Sequence, residues 1–187
     1  MFNLDKKLIE NSYKKIIDSL GDYVDQKGVK DTPKRVANTY EELLSGYTAD
    51  IEKIINNALF DVEYDQIVIV KNIRFYSLCE HHILPFFGKI DIGYLPNSKI
   101  IGLSKIPRIT QVFSKRLQVQ ERLTEQIGKA IFENTNALGA GVVINAQHMC
   151  SSMRGLNMPS TEMVTSSLFG TFKSDDATRK EFFDLIK

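Results

Sequence analysis

The two cysteines and three histidines of this chain all fall in two short windows, Cys79-Glu80-His81-His82 and His148-Met149-Cys150. Cys79 and His82 are separated by two residues, a spacing at which one tight turn aims both side chains at one ion. His148 and Cys150 are i and i+2 on an expected strand, which puts them on one side of a sheet. Thiolate and imidazole together suit zinc. Three protein ligands would leave a position open for water, as in a catalytic site. Cys79, His82, His148 and Cys150 together would instead close a two-Cys, two-His structural site, and a third reading makes them unrelated core residues. Two details favour catalysis. His81 is a spare imidazole that a structural site does not need. A chain of 187 residues buries roughly two thirds of its unfolded surface and folds without a metal staple.

A second cluster is suited to anions. From Lys99 to Arg122 there are six basic residues and one acid, Glu121. Ser104 and Lys105 open an expected helix, and helix N-termini bind anions through free N–H groups. Arg108 lies one turn further along the same face. Arg154 follows the second metal window closely enough to share its pocket. Together these suit a polyphosphate; the commoner fate of such a run is a solvated helix face. No Walker or G-x-G-x-x-G pattern occurs, so a glycine-rich loop would not hold the phosphates. Glu121 is either a surface helix glutamate or a carboxylate that accepts from the N1–H and amine of guanine.

These residues need elements to position them. Leu4, Leu8, Ile9, Tyr13, Ile16, Ile17 and Leu20 follow the helical period. Thr32 and Pro33 start a second helix that ends at Ser45-Gly46, and a short third spans 51–59. Ile67 to Leu78 reads as a strand, with Gly88 to Leu95 as its antiparallel partner and Lys99 to Leu103 as a short extension. Helices follow from Ser104 to Arg116 and from Gln118 to Asn136. Strands at 141–150 and 163–172 and a closing helix at 175–187 complete the order. Hairpin-joined strands with helices between the pairs predict an α+β fold with an antiparallel sheet. The one plausible boundary is near residue 62, giving a helical region at 1–61 and a catalytic domain at 62–187.

Composition narrows the class. A net charge of +1 argues against a dedicated nucleic-acid binder. No apolar run approaches the ~18 residues of a membrane span, and the first 15 residues mix acids and bases without a signal-like apolar core. A cytoplasmic protein that binds neither nucleic acid nor membrane is expected. Its two cysteines then suggest metal or catalysis before a disulfide.

The motifs Cys79-Glu80-His81-His82, Gly102-Leu103-Ser104-Lys105, Gln118-Val119-Gln120-Glu121-Arg122-Leu123-Thr124, His148-Met149-Cys150 and Ser167-Leu168-Phe169-Gly170 occur in this order. With Thr32-Pro33-Lys34-Arg35-Val36 upstream, the chain resembles GTP cyclohydrolase I from Thr32 to its C-terminus. The first 30 residues carry no family signal beyond being helical. The resemblance implies a T-fold, an antiparallel sheet with two helices on one face, behind an N-terminal helical appendage. It implies a homodecamer of two face-to-face pentamers and conversion of GTP and water to formate and dihydroneopterin triphosphate, the first step towards folate or tetrahydrobiopterin.

Carried over by position, Cys79, His82 and Cys150 are the ligands of one zinc per chain. His148 then becomes a catalytic acid/base, and His81 a second catalytic or substrate-contacting imidazole. Zinc lowers the pKa of bound water towards ~7, supplying hydroxide for attack on C8 of guanine. His148 would protonate N7. Glu121 anchors the base with Gln120 beside it, while Ser104, Lys105, Arg108 and Arg154 hold the triphosphate, joined by Arg35 of a neighbouring subunit. Bacterial members often carry Lys three residues after the position of Arg35; here it is Asn38, which weakens a second phosphate contact from that helix. The nitrile reductase of queuosine synthesis shares the T-fold but uses a nucleophilic cysteine and NADPH, and has no need of two metal windows. A zinc-stabilised interaction module would have no reason to keep His81, Glu121 and Arg154 with the zinc set.

Overall fold

The computed structural model describes residues 3–154 and 161–187. Helix α1 (Lys6–Asp18) starts where the Asp5 carboxylate accepts the Leu8 N–H. Helix α2 (Thr32–Leu43) begins one residue earlier than expected. Asp31 holds the cap position without a side-chain bond, Thr32 is already helical, and Pro33 sits in the first turn. Helix α3 (Ile51–Ile55) is shorter than the 51–59 span because Asn56 and Asn57 turn left-handed, with φ of 40° and 58°. Asparagine tolerates that region better than most side chains, and it terminates helices there.

Strand β1 (Leu59–Asp61) follows. The central sheet is made by β2 (Val68–Cys79), β3 (Pro85–Leu95), β5 (Leu117–Gln118), β6 (Gly139–His148) and β7 (Met163–Gly170), in the order β5-β2-β3-β6-β7. All neighbours are antiparallel except the short β2–β5 pair. Strand β4 (Lys99–Ile101) does not extend this sheet. It pairs with β1 in a separate two-stranded ribbon.

A bulge decides which side chains of β2 face inward. Val70 pairs with Ile92, but Ile73 pairs with Ile90, so β2 carries one extra residue there. Asn72 absorbs it with φ of 59°, and its N–H donates to Asp91 Oδ1 at 2.7 Å. Strand side chains alternate with period two, so one inserted residue exchanges the faces. Beyond the bulge, the alternating residues Ile73, Phe75, Ser77 and Cys79 are buried, with Leu78 covered beside them. Phe86, Ile90, Ile92 and Tyr94 of β3 and Ala140, Val142, Ile144 and Ala146 of β6 bury the matching positions.

Two helices lie against the inward side chains: α4 (Lys105–Ser114) and α5 (Gln120–Thr135). Ile106, Ile109, Leu123, Ile127 and Ile131 recur at helical spacing and are almost completely buried in the same core. The short α6 (Met149–Ser152) and α7 (Thr171–Ser174) flank β7, and α8 (Asp176–Ile186) closes the chain. Phe172 and Phe182, fully buried, form a second cluster with Ile67, Ile69, Leu95 and Val143. The result is the α+β arrangement expected from the motif resemblance: an antiparallel sheet, two helices on one face, and helices before it. The N-terminal segment is tied to the end of α4 at Gly46, whose N–H donates to Lys115 O and whose carbonyl accepts from Arg116 Nε. A Cβ at Gly46 would lie 2.2 Å from Val112 O, so only glycine permits that approach.

Candidate active site

Cys79 ends β2 on the inward face and is buried. The chain then reverses in a turn closed by Cys79 N–H to Leu84 O at 2.9 Å and Ile83 N–H to Cys79 O at 2.8 Å. Ile83 sits at φ of 56°, a conformation that costs a β-branched residue energy and marks a turn held by its surroundings. This turn brings His82 back towards Cys79. Cys150 completes a trio whose ligand atoms all lie within 4.8 Å of one another. The route to Cys150 differs from the expected one. Strand β6 ends at His148, and Met149 and Cys150 belong to α6, so His148 and Cys150 are not neighbours on one strand face.

The trio is suited to a metal ion. Burial raises the Cys150 thiol pKa above its ordinary value, and the Cys79 sulfur beside it raises it further. Two sulfurs held together disfavour a second thiolate unless a cation joins them. In a tetrahedron with zinc–sulfur bonds of about 2.3 Å, ligand atoms are about 3.8 Å apart. Small side-chain rotations would close this trio on one ion. His81 Nδ1 lies 3.8 Å from Cys79 Sγ. Arg154 Nη2 is 2.9 Å from His82 Nε2. A guanidinium has no acceptor, so Nε2 accepts this bond.

His148 lies on the inward face and outside the trio. Its ring stacks on Phe86, its partner across the β3–β6 ladder, with centroids 4.7 Å apart and planes 7° from parallel. Its Nε2 is 2.8 Å from Gln120 Oε1. Gln120 is 1% exposed, and its Nε2 donates to Ile144 O, Met163 O and Thr165 Oγ1. The amide orientation is therefore fixed, and its oxygen accepts from His148 Nε2–H. Thr124 Oγ1 donates to Gln120 O and lies 2.6 Å from Thr165 Oγ1, so the Thr165 hydroxyl donates to Thr124 and the ring of bonds closes. Nδ1 remains the ring nitrogen without a hydrogen-bond partner among the described residues. Burial holds the His148 pKa below its usual value, while the Glu121 carboxylate pulls it upward. Glu121 itself is exposed. It borders a cavity of about 450 Å³ with Glu125, Ser166, Ser167, Leu168 and Lys173.

The other anion candidates lie elsewhere on the chain. Ser104 occupies the cap position of α4 without a side-chain bond. Lys105 follows, and Arg108 lines a hollow with Ser45, Gly46 and Ile54. Helix α4 has ten residues, about 15 Å, and its far end leads through β5 to Cys79. Ser104 and Lys105 therefore stand at the end of α4 away from the end that leads to Cys79, and Arg108 stands one turn in from them. Arg35 is exposed on α2 beside Asp31. Within the basic run, Lys99, Lys115 and Arg122 face carboxylates. Arg116 packs over Phe113 and Tyr47. Lys105 and Arg108 have no ion-pair partner among the described residues.

Two features of the site have no role in the sequence reading. One is the ring of Phe86 under His148, signalled only by an aromatic residue at the start of β3. The other joins the two halves of the motif set: Arg122 Nη1 and Nη2 lie 2.8 and 2.7 Å from Glu80 Oε2. Each residue stands beside a functional candidate, Glu80 between Cys79 and His81 and Arg122 after Glu121.

A family model for GTP cyclohydrolase I matches residues 9–187. The similarity therefore begins well before Thr32, and α1 belongs to it in large part. GTP cyclohydrolase 1 of Campylobacter jejuni subsp. jejuni is 49% identical over 181 residues, covering 97% of this chain and 95% of the relative. GTP cyclohydrolase 1 of Leptospira biflexa serovar Patoc is 51% identical over 179 residues, covering 96% and 98%. The solved structure of the archaeosine synthase QueF-Like in the apo form is similar over 58% of this chain and 97% of its own. It has a TM-score of 0.46 and 14% sequence identity.

Proposed function

The chain belongs to the GTP cyclohydrolase I family, and from that membership we propose that it converts GTP and water to formate and dihydroneopterin triphosphate. One zinc per chain would be held by Cys79, His82 and Cys150. The observation that carries this reading is the Cys-His-Cys trio within 4.8 Å, at the same end of the sheet as the His148–Gln120 pair. The product would feed folate or tetrahydrobiopterin synthesis. Free Cys79 and Cys150 suit the reducing cytoplasm. No helix among the described residues is long and apolar enough to cross a membrane. Incubating the zinc-loaded protein with GTP and measuring formate and pterin fluorescence tests the reading; absence of both products overturns it.

When bound by Cys79, His82 and Cys150, zinc would supply Lewis-acid activation of water near neutral pH. His148 moves the proton to and from the guanine ring through Nδ1, because Gln120 occupies Nε2 and fixes the tautomer. His81 lies beside Cys79 and serves as a second imidazole facing substrate. Arg154 cannot keep its bond once His82 is a ligand. A ligating Nε2 has no lone pair to offer, and a ligating Nδ1 leaves the proton on Nε2, donor against donor. The released guanidinium is then available to the triphosphate.

Glu121 reads the base, accepting from guanine N1–H and the exocyclic amine. Two charge-assisted bonds contribute about 1.5–3 kcal/mol each. Glu121→Gln keeps one acceptor oxygen and no charge, so it should weaken GTP binding by about ten- to a hundredfold. Zinc content should stay at the parent level. Adenine lacks the N1–H, so ATP should neither turn over nor compete strongly. Equal GTP affinity in Glu121→Gln, measured by equilibrium titration, would return this residue to an ordinary surface glutamate.

Ser104, Lys105, Arg108 and Arg35 are proposed to bind the triphosphate of a neighbouring subunit's site. The place of Ser104 and Lys105 at the end of α4 away from Cys79 supports this, as do Lys105 and Arg108, which have no ion-pair partner among the described residues. Such a shared site requires an oligomer, and the exposed edges of β7 and β2 need partners. Light scattering should give a decamer, about ten times the 21.3 kDa chain mass. A fully active monomer would remove the shared site.

A further inference from the structure

Three consecutive residues at the start of α5 reach three parts of the site. Gln120 fixes His148, Glu121 borders the cavity described above, and Arg122 grips Glu80 in the metal turn. We infer that Arg122 is a positioning residue that clamps the Cys79–Leu84 turn through Glu80 and thereby sets the geometry of His82 towards zinc. The inference rests on the zinc reading above but adds a role for two residues that touch neither metal nor substrate.

The turn needs such a clamp. Its residue Ile83 is left-handed and 45% exposed, so packing of that side chain offsets only part of the backbone strain. The His82 N–H to Cys79 O contact is long, at 3.4 Å. Of the turn residues only Cys79 is buried; His82 is exposed, and its bond to Arg154 is lost once it is a ligand. What remains on the far side of Cys79 is Glu80. Its N–H donates to Gln118 O at 3.0 Å, and its carboxylate takes both Arg122 nitrogens on one oxygen. Both ties run to the segment that opens α5. They fix Glu80 from backbone and side chain at once, and so orient the two residues that follow it.

A surface ion pair ordinarily contributes little to global stability, and these side chains are 41% and 33% exposed. The clamp should therefore show in metal retention and not in the unfolding temperature. Groups that orient metal ligands typically cost 10–100-fold in metal affinity when removed.

The test is zinc release from the loaded full-length protein to a chromophoric chelator, beside thermal unfolding of the same samples. Arg122→Gln and Glu80→Gln should each release zinc about tenfold faster or more, with unfolding midpoints close to the parent. The double variant should match either single one, because both remove the same link. The exchanged pair, Glu80→Arg with Arg122→Glu, should recover most of the retention. Parent-like zinc release in Arg122→Gln would overturn the clamp, as would additive effects in the double variant. If zinc release and the unfolding midpoint moved together in both single variants, and the exchanged pair failed to recover retention, the pair would be merely structural. A parent chain that bound no zinc would sink the zinc reading itself. A parent that held zinc firmly, with variants equal to it, would sink the clamp alone.

Discussion

Cys150→Ala is expected to purify with almost no zinc and no measurable turnover of GTP, and to remain folded. The trio supplies three ligand atoms within 4.8 Å, and removal of one leaves a Cys-His pair that cannot hold the ion in competition with water and cellular thiols. Cys150 is the most informative of the three. It is only half-buried, on a four-residue helix outside the sheet, so its loss opens little core volume. The packing that folds the domain lies among Ile90, Ile92, Ile109, Ile127 and Ile144, and Cys150 packs against it only as a partly buried residue. Metal analysis beside a formate assay and far-UV circular dichroism checks the three parts together. Cys79→Ala and His82→Ala should agree in zinc and activity. A zinc-free variant that still released formate would show that the chemistry runs without the metal.

His148→Ala is expected to separate ligand from catalyst. It should keep its full zinc content and lose turnover by roughly 10²–10⁴, the usual contribution of a general acid or base. The geometry makes this asymmetric outcome specific. His148 is held by Phe86 on one face and Gln120 at Nε2, neither of which is a ligand, and Cys150 has turned away into α6. The GTP affinity of the variant should change far less than its rate. His148 is not among the residues that line the cavity beside Glu121, so that cavity keeps its wall. Zinc loss on this substitution would restore the four-ligand structural site that the sequence also permits.

Much of the fold was legible because its signals are local. The 3.6-residue period of Leu123, Ile127 and Ile131 marked α5, and the alternation of Ile90, Ile92 and Tyr94 marked β3, each before any contact was known. Boundaries slipped where no side-chain pattern marks the end of an element. Asn56 stopped α3 early, and β6 gave way to α6 after His148, although both windows read as continuous elements. The pairing of β1 with β4 joins residues about forty positions apart, a choice between strand edges that no local pattern encodes.

The site divides in the same way. Residue types and spacing alone pointed to Cys79, His82, His148 and Cys150 as candidates for one site, and to zinc as the ion that suits their chemistry, since ligand identity is a property of side chains. Which of them share one ion was not determined by spacing. His148 and Cys150 are two apart in sequence, but the strand–helix junction between them sends one to Gln120 and the other to Cys79. Tertiary structure also decided the face on which Cys79 emerges. The bulge at Asn72, pinned by Asp91 of the next strand, switches the parity of β2, and the consequence appears seven residues later at the metal turn. It decided, too, that Arg122 meets Glu80 while Arg108, in the same basic run, lines a hollow with Ser45 and Ile54. Composition sets which charges a segment carries; the length and direction of α4 set where they end up, because a rigid helix of about 15 Å separates its two ends.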